Sequence, residues 1–263
     1  MIGLSPREMS TPLPAWLYGG AGIDVPGVDR TGRWRGSRGL IIDLDDTLYP
    51  LQRYVRSGFG AVAAHCEHAF GLAAADALAV LTRCASRGEQ QTAFQTLCRE
   101  FSLSSDTVSV LVEVYRGHRP SIVLGQAALD MLRALRAGAW RLAILTNGLP
   151  RVQLRKVEAL GLVHLVDHVI YADQVAPGGK PAPAAFVEAL RRLGTRPDRT
   201  VCLGDDLRRD IVGARTSGLA TIRLATTGLA SASAIDADIV VQSLSDVPRA
   251  AVSLLEGVIR HAA

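Results

Sequence analysis

Two aspartates separated by one residue follow a short apolar run in the first quarter of the chain. Gly39-Leu40-Ile41-Ile42 is typical of a buried β-strand, and Asp43-Leu44-Asp45 comes directly after it. Side chains two residues apart on an extended backbone point to the same side, so the Asp43 and Asp45 carboxylates should project together beyond the strand. Carboxylates side by side raise one pKa or require a cation. The pair therefore suits a covalent Asp nucleophile beside an acid/base Asp, held together by a divalent metal.

Three further stretches could complete such a site, each after an apolar run or in a glycine-rich loop. In chain order they are Thr146-Asn147-Gly148, Lys180 after Gly178-Gly179, and Gly204-Asp205-Asp206 followed by Asp210. Backbone amides at a helix start bind anions, an ammonium binds phosphate, and carboxylates bind hard cations. This order predicts a nucleophile, phosphate donors, a lysine and metal-binding acids at one site.

Lysine is rare in this chain, and its placement is informative. Of the 29 Lys and Arg residues, only Lys156 and Lys180 are lysines. A compact ammonium can contact a phosphoryl oxygen and a carboxylate at once, a role for which a guanidinium is too wide. We therefore expect Lys180 to act in phosphate binding and catalysis.

The four stretches resemble, in their order, the motifs of the haloacid dehalogenase superfamily of phosphohydrolases. The corresponding segments are Asp43-Leu-Asp-Asp-Thr-Leu48, Leu145-Thr-Asn-Gly148, Lys180-Pro181, and Gly204-Asp205 through Asp210. One short acidic motif recurs by chance, whereas four in order are specific. The resemblance extends over roughly residues 38–245.

The resemblance implies that the first two aspartates do different chemistry. Asp43 would attack phosphorus and form an aspartyl-phosphate. Asp45 would protonate the leaving group and then activate water, which makes it an acid/base group and not a metal ligand. We expect Asp46 to cap the backbone and Thr47 to hydrogen-bond to Asp45.

The resemblance also implies a Mg²⁺ ion bound by oxygen ligands. The expected ligands are the Asp43 carboxylate, the Leu44 carbonyl and Asp205. Asp206 stands where the family more often has a small polar residue. It is therefore either part of the outer coordination sphere or an exposed loop acid.

Phosphate binding is expected to fall to the second and third motifs. The Thr146 hydroxyl and the Asn147 amide would bind the non-bridging oxygens, with Lys180 opposite. Asp210 lies four residues beyond Asp206 at the start of a helix. There it could orient Lys180 or reach the metal through water.

The predicted fold is an α/β, doubly wound, Rossmann-like parallel sheet, because helical and strand patterns alternate from residue 126 onward. Helices are expected over 126–137, 150–160, 183–193, 208–217 and 246–259, and strands over 141–146, 168–171, 200–203, 220–224 and 238–241. Ligands in such sheets bind beyond the carboxyl ends of the strands, where the four motifs fall.

The sequence divides into three parts. Apolar residues at helical spacing predict an inserted four-helix cap over residues 51–118, where Gln52, Arg53 and Arg56 could face the leaving group. The catalytic core is expected over 39–50 and 119–263. Residues 1–38 are rich in Gly, Pro and Arg. We expect them to form an N-terminal extension that is flexible or docks on the core or on another subunit.

Composition argues against several classes of protein. No apolar run approaches the about 18 residues of a spanning helix, and the N-terminus has no signal pattern. The net charge is +4, but the arginines are scattered and not interleaved with aromatics, which argues against a nucleic-acid polymer as partner. The four cysteines show no metal spacing, as expected of reduced core residues in a cytoplasmic protein. We expect a monomer or homodimer that acts on a small molecule without binding a membrane.

The expected function is Mg²⁺-dependent hydrolysis of a small phosphate monoester, a nucleotide or sugar phosphate. Haloacid dehalogenases of the same superfamily work without metal, but the position of Asp45 is not a carboxylate in them. Phosphomutases of the family typically continue with Gly-Val instead of Asp-Thr. A catalytically idle scaffold, with residues 1–38 as its contact segment, stays open as an alternative.

Overall fold

The computed structural model describes residues 37–225 and 237–257. Nearly all of the N-terminal extension and the last residues of the helix expected over 246–259 lie outside the described residues. The four motifs all lie within them.

The sheet consists of six parallel strands, β1 (Gly39–Ile42), β2 (Arg141–Thr146), β3 (His168–Tyr171), β4 (Thr200–Gly204), β5 (Ala220–Leu224) and β6 (Ile239–Val241). Their order across the sheet is β3-β2-β1-β4-β5-β6. Strand β1 pairs with both β2 and β4, and Ile42 is level with Ile144 and Leu203. The carboxyl ends of the three strands that precede the motifs are therefore neighbours, and the predicted doubly wound fold is confirmed.

The central strands are apolar because both of their faces are buried. In β1, Leu40 and Ile42 face one hydrophobic cluster and Ile41 faces the other, as the two-residue period of a strand requires. Helices α5 (Gln126–Ala137), α6 (Pro150–Ala159) and α10 (Val247–Glu256) pack on the first face, and α8 (Pro183–Leu193) packs on the second. The sheet thus has helices on both sides.

Residues 51–117 form four helices between β1 and β2. They are α1 (Leu51–Phe70), α2 (Ala74–Ser86), α3 (Ala93–Glu100) and α4 (Thr107–Gly117). These helices enclose a hydrophobic cluster of their own, which includes Phe59, Leu81 and Leu97. Phe70 lies at the end of the apolar stripe of α1 and is exposed. We call residues 51–117 the helical insertion.

Two arginines of α6 attach the helical insertion to the sheet. Arg151 contacts Glu113 of α4 at 2.8 Å. Arg155 donates to the carbonyl of Gly117, where α4 ends. One face of α6 therefore fixes the return connection of the insertion.

The helix expected over 208–217 is only partly correct. Leu207–Val212 forms a π-helical segment, and α9 (Gly213–Thr216) is a short α-helix after it. The Asp206 carbonyl accepts from the N–H groups of both Asp210 and Ile211, which widens the turn. A short helix α7 (Ala172–Val175), which the sequence pattern did not indicate, follows β3.

Cys66, Cys84, Cys98 and Cys202 are buried and free. Over residues 37–225 and 237–257, no helix combines the length and the apolar character needed to cross a membrane.

Candidate active site

The site lies where β1, β2 and β4 end side by side. Asp43 follows β1, Thr146 closes β2, and Asp205 follows β4. The Asp43 N–H donates to the Leu203 carbonyl at 2.9 Å, which extends the pairing of the two strands by one residue. Residues far apart in sequence thereby converge at the carboxyl edge of the sheet, where α/β proteins bind ligands.

Lys180 lies buried between two aspartates. Its Nζ is 2.5 Å from Asp43 Oδ1 and 2.7 Å from Asp210 Oδ1, and only 4% of the lysine is exposed. Burial raises the pKa of Asp43 to about 6, although Lys180 opposes this. Burial alone would lower the pKa of Lys180, but the two aspartates raise it above its ordinary value. The lysine is therefore a fixed cation against the Asp43 carboxylate.

Asn147 holds the loop that carries Lys180. Its Oδ1 accepts from the Lys180 N–H at 2.8 Å, and its Nδ2 donates to the Lys180 carbonyl at 3.0 Å. Gly179 has a φ of +62°, and a Cβ there would lie 2.5 Å from Asn147 Oδ1. The side chain of the second motif thus positions the backbone of the third.

Asp43, Asp205 and Asp210 form an acidic cluster. One carboxylate oxygen from each lies within 4.8 Å of the other two. Burial, with Asp43 next in importance, raises the pKa of Asp205 to about 6. Asp210 uses one oxygen for Lys180 and the other for the Asp206 N–H at 3.1 Å. Asp43 and Asp205 are therefore the carboxylates that best fit a hard divalent cation, and Asp210 is placed to orient Lys180.

The Leu44 carbonyl accepts from the Leu48 N–H at 3.0 Å within the turn. A carbonyl oxygen has two lone pairs, so its role as a metal ligand stays a prediction. The prediction for Thr47 needs correction. Thr47 forms no side-chain hydrogen bond to Asp45. Its hydroxyl donates to Asp205 Oδ1 at 3.4 Å, because the turn directs it toward the end of β4.

Two acids of the motifs are backbone caps. The Asp206 side chain accepts from the N–H groups of Arg208 and Arg209 and is 41% exposed. Asp46, at a φ of 59°, accepts from the Leu51 N–H at 2.9 Å, as the sequence predicted. The acidic cluster contains neither of them.

The surroundings of Asp45 were not foreseen. Lys156 Nζ lies 2.9 and 2.8 Å from its two oxygens, the Tyr49 hydroxyl 2.5 Å from Oδ1, and Gln153 Nε2 3.0 Å from Oδ2. Gln153 also donates to the Thr146 hydroxyl. Asp45 is therefore tied to α6 and to the second motif.

The sequence contained a signal for this contact. Lys156 is the other lysine of an arginine-rich chain, and Gln153 precedes it by three residues, which places both on one face of a helix. The rarity of lysine applies to Lys156 as much as to Lys180, and both ammonium groups are buried.

The Gly204→Ala variant is expected to lower turnover about 100-fold, the scale of a displaced catalytic group. A Cβ at this position would lie 2.3 Å from Asp210 Oδ2, so the aspartate would shift away from Lys180. Steady-state kinetics on a phosphate ester, the class of substrate that the sequence predicts, measures the effect. Gly60→Ala, which meets nothing within 4 Å, is the matched control. Wild-type turnover in Gly204→Ala would contradict the arrangement described here.

The residues of this site lie within a segment that matches a known protein family. The family model for haloacid dehalogenase-like hydrolases matches residues 38–218, more than half of the chain. The chain belongs to this family. The haloacid dehalogenase-like domain thus includes the helical insertion and all four motifs, and the family prediction from the sequence is confirmed.

Relatives within the haloacid dehalogenase-like family include named phosphatases. The chain is 36% identical over 96 residues to a glyceraldehyde 3-phosphate phosphatase of Methanopyrus kandleri. The aligned residues cover 36% of this chain and 41% of that protein. The chain is 26% identical over 193 residues to a protein of the same name from Methanocaldococcus jannaschii, 71% and 84% of the two chains. The chain spans 41% of the Methanopyrus protein and 38% of a glyceraldehyde 3-phosphate phosphatase of Methanothermobacter thermautotrophicus, about two fifths of the length of each.

Solved structures show the same fold. The HAD-hydrolase YfnB of Bacillus subtilis, crystallised with magnesium, superposes with a TM-score of 0.60 at 20% identity. The superposition covers 82% of this chain and 98% of that one. At this identity the similarity establishes the fold alone.

Proposed function

We propose that this protein hydrolyses a small phosphate monoester with the aid of Mg²⁺, through an aspartyl-phosphate on Asp43. The observation that carries the proposal is the position of Asp43. Its carboxylate lies against the Lys180 ammonium and within 4.8 Å of ligand oxygens of Asp205 and Asp210. The phosphatase names of relatives support the same reaction.

In the first half-reaction, an Asp43 oxygen attacks phosphorus as the bond to the leaving oxygen breaks. Asp45 gives its proton to that oxygen, so the product leaves as an alcohol. Lys180, the Thr146 hydroxyl and the Asn147 backbone N–H bind the non-bridging oxygens. We assign the backbone N–H of Asn147 because its side chain already holds the Lys180 loop.

In the second half-reaction, water attacks the phosphorus of the aspartyl-phosphate. Asp45 accepts a proton from the water, and the bond between phosphorus and the Asp43 oxygen breaks. Inorganic phosphate leaves, Asp43 regains its carboxylate, and Asp45 is again protonated for the next cycle.

The proposed metal ligands are the Asp43 and Asp205 carboxylates and the Leu44 carbonyl, oxygen ligands that suit Mg²⁺. When bound, Mg²⁺ offsets the repulsion between the Asp43 carboxylate and the phosphate dianion. Asp210 supports the site by holding Lys180, since both of its oxygens are already used in hydrogen bonds.

For the substrate we propose a nucleotide, sugar or short-acid phosphate. The continuation after the second aspartate, Asp46-Thr47-Leu48-Tyr49-Pro50, resembles nucleotide and sugar-phosphate phosphatases. Relatives named for glyceraldehyde 3-phosphate, phosphoserine and phosphoglycolate add the short acids and sugars.

We further propose that residues 51–118 act as the cap that selects the ester, over a catalytic core of 39–50 and 119–263. We also propose that the protein acts in the cytoplasm as a monomer or homodimer.

A phosphate-release screen tests the function. The purified protein is assayed on nucleotide, sugar and short-acid phosphates and on p-nitrophenyl phosphate, with Mg²⁺ and with excess EDTA. We expect Mg²⁺-dependent release with one preferred class of ester. Chloride release from 2-chloropropionate, assayed in parallel without metal, would instead identify a dehalogenase. No release from any compound would favour the non-catalytic alternative.

Asp205→Asn is expected to remove most of the thermal stabilisation by Mg²⁺. A ligand at 100 times its Kd stabilises a protein by about 2.7 kcal/mol, which raises the Tm by several degrees. Loss of the Asp205 charge weakens the site because hard cations depend on carboxylate ligands. Differential scanning fluorimetry over a MgCl₂ titration measures the shift. Asp206→Asn, which changes only a helix cap, should keep it; the reverse result would mean that the metal ligands are assigned wrongly.

A further inference from the structure

We propose that Lys156 is a positioning residue for Asp45, holding the acid/base carboxylate at a fixed place relative to the bound phosphate. This inference rests on the proposed function, because it concerns the group that protonates the leaving oxygen. Lys156 contacts both oxygens of Asp45 from α6, a helix more than a hundred residues away in sequence. Its task is therefore distinct from that of Lys180, which serves Asp43 and Asp210.

Burial makes the Lys156–Asp45 contact obligatory. Only 4% of Lys156 is exposed, whereas the Asp45 side chain is 23% exposed. A buried ammonium without an anionic partner is strongly unfavourable. Within the part of the chain that the structure describes, both hydrogen bonds of Lys156 Nζ go to Asp45, and the Tyr54 ring lies 4.4 Å from Nζ. The lysine cannot turn to solvent, so it keeps Asp45 in place.

Donors lie at both oxygens of Asp45. Lys156 Nζ contacts Oδ1 and Oδ2, the Tyr49 hydroxyl donates to Oδ1, and Gln153 Nε2 donates to Oδ2. Together these contacts fix the plane of the carboxyl group and the position of its two oxygens.

Gln153 links this contact to phosphate binding. Its Nε2 donates to Asp45 Oδ2 and to the Thr146 hydroxyl. The leaving oxygen is bonded to the same phosphorus as the oxygens that Thr146 would bind. A single helix thus fixes the distance between the proton donor and the phosphate, and small errors in such distances cost large factors in rate.

The test uses the fact that a general acid matters most for poor leaving groups. Lys156→Met keeps the volume of the side chain and removes the ammonium. For an alkyl phosphate, kcat/KM should fall about 100-fold, as expected for a displaced general acid. For 2,4-dinitrophenyl phosphate, whose phenolate leaves without protonation, kcat/KM should fall less than about tenfold. A uniform loss over all esters, or no loss, would overturn the proposal.

Arg192→Met provides the control. Arg192 is 49% exposed and contacts Glu188 within α8, so its loss should leave the ratio between alkyl and aryl esters at the wild-type value. A second variant, Lys156→Ala, opens space for a small amine. Ethylammonium should raise alkyl-ester turnover in Lys156→Ala and not in Lys156→Met, whose side chain fills the space. Absence of rescue together with unselective loss would show that Lys156 only supports the fold.

A structural measurement separates failure of this inference from failure of the proposed function. In crystals of Lys156→Met, we expect the Asp45 carboxylate to leave its wild-type position or to occupy several rotamers. An unchanged, well-ordered Asp45 would overturn the positioning role whether or not the protein is a phosphatase. If wild-type protein released phosphate from no ester, the proposed function would fail, and the Asp45 position would still decide this point.

Discussion

Asp43→Asn is expected to reduce phosphate release by at least about 10⁴-fold, the scale seen when a nucleophile is removed. Asparagine has nearly the same shape, and its Oδ1 can still accept from Lys180, so the fold should persist. It lacks the anionic oxygen that attacks phosphorus in the proposed mechanism, so no aspartyl-phosphate should form. Steady-state turnover, with intact mass spectrometry of acid-quenched enzyme to detect the phosphorylated form, measures both consequences.

Asp46→Asn is the appropriate control for the nucleophile variant. Asp46 is a neighbouring acid that accepts a hydrogen bond from the Leu51 N–H and does not belong to the acidic cluster. Its variant should retain most of the activity and remain phosphorylated in the quenched sample. Near-normal turnover in Asp43→Asn would refute the covalent mechanism.

Lys180→Arg is expected to lower kcat about 10²- to 10³-fold although the positive charge is kept. The ammonium fits between two carboxylates, 2.5 Å from Asp43 and 2.7 Å from Asp210, in a space closed to solvent. A planar guanidinium is wider and cannot make both contacts in the same geometry. Separate values of kcat and KM will show whether the loss lies in chemistry or in phosphate binding.

Arg192→Lys is the reverse exchange at an exposed position and serves as a control. The Arg192 side chain is 49% exposed and pairs only with Glu188 among the salt bridges described, so its replacement should leave turnover unchanged. Wild-type rates in Lys180→Arg would mean that the lysine does not bind the transferring phosphoryl group.

The sheet could be predicted from the sequence because buried parallel strands have a distinct apolar pattern. The family could be predicted because the four motifs occur in order. Strands β1, β2 and β4 are short apolar runs, and the motif residues follow each run directly. Neighbouring ends of parallel strands then bring these residues together. Asp43 and Asp205 could be placed at one edge on this basis alone.

The partners of Asp45 could not be predicted in the same way. Gln153 and Lys156 lie 108 and 111 residues from Asp45 in the chain. Periodicity identified α6 as a helix, but it does not state which of its faces meets the loop after β1. Likewise, the π-helical segment at Leu207–Val212 depends on contacts of Asp206 and Asp210 that appear only when the strands are assembled.

The separate hydrophobic cluster of the helical insertion has a consequence for how this protein can diverge. Side chains such as Phe59, Leu81 and Leu97 pack with one another and not with the sheet clusters. The side chains of this cluster can therefore accumulate substitutions without disturbing the residues at the strand ends, whereas Tyr54 of α1 packs with the sheet cluster and against Lys156. The attachment through α6 limits that freedom, because the helix that receives the insertion also holds Asp45. Lineages that exchange the insertion should therefore retain a compatible α6.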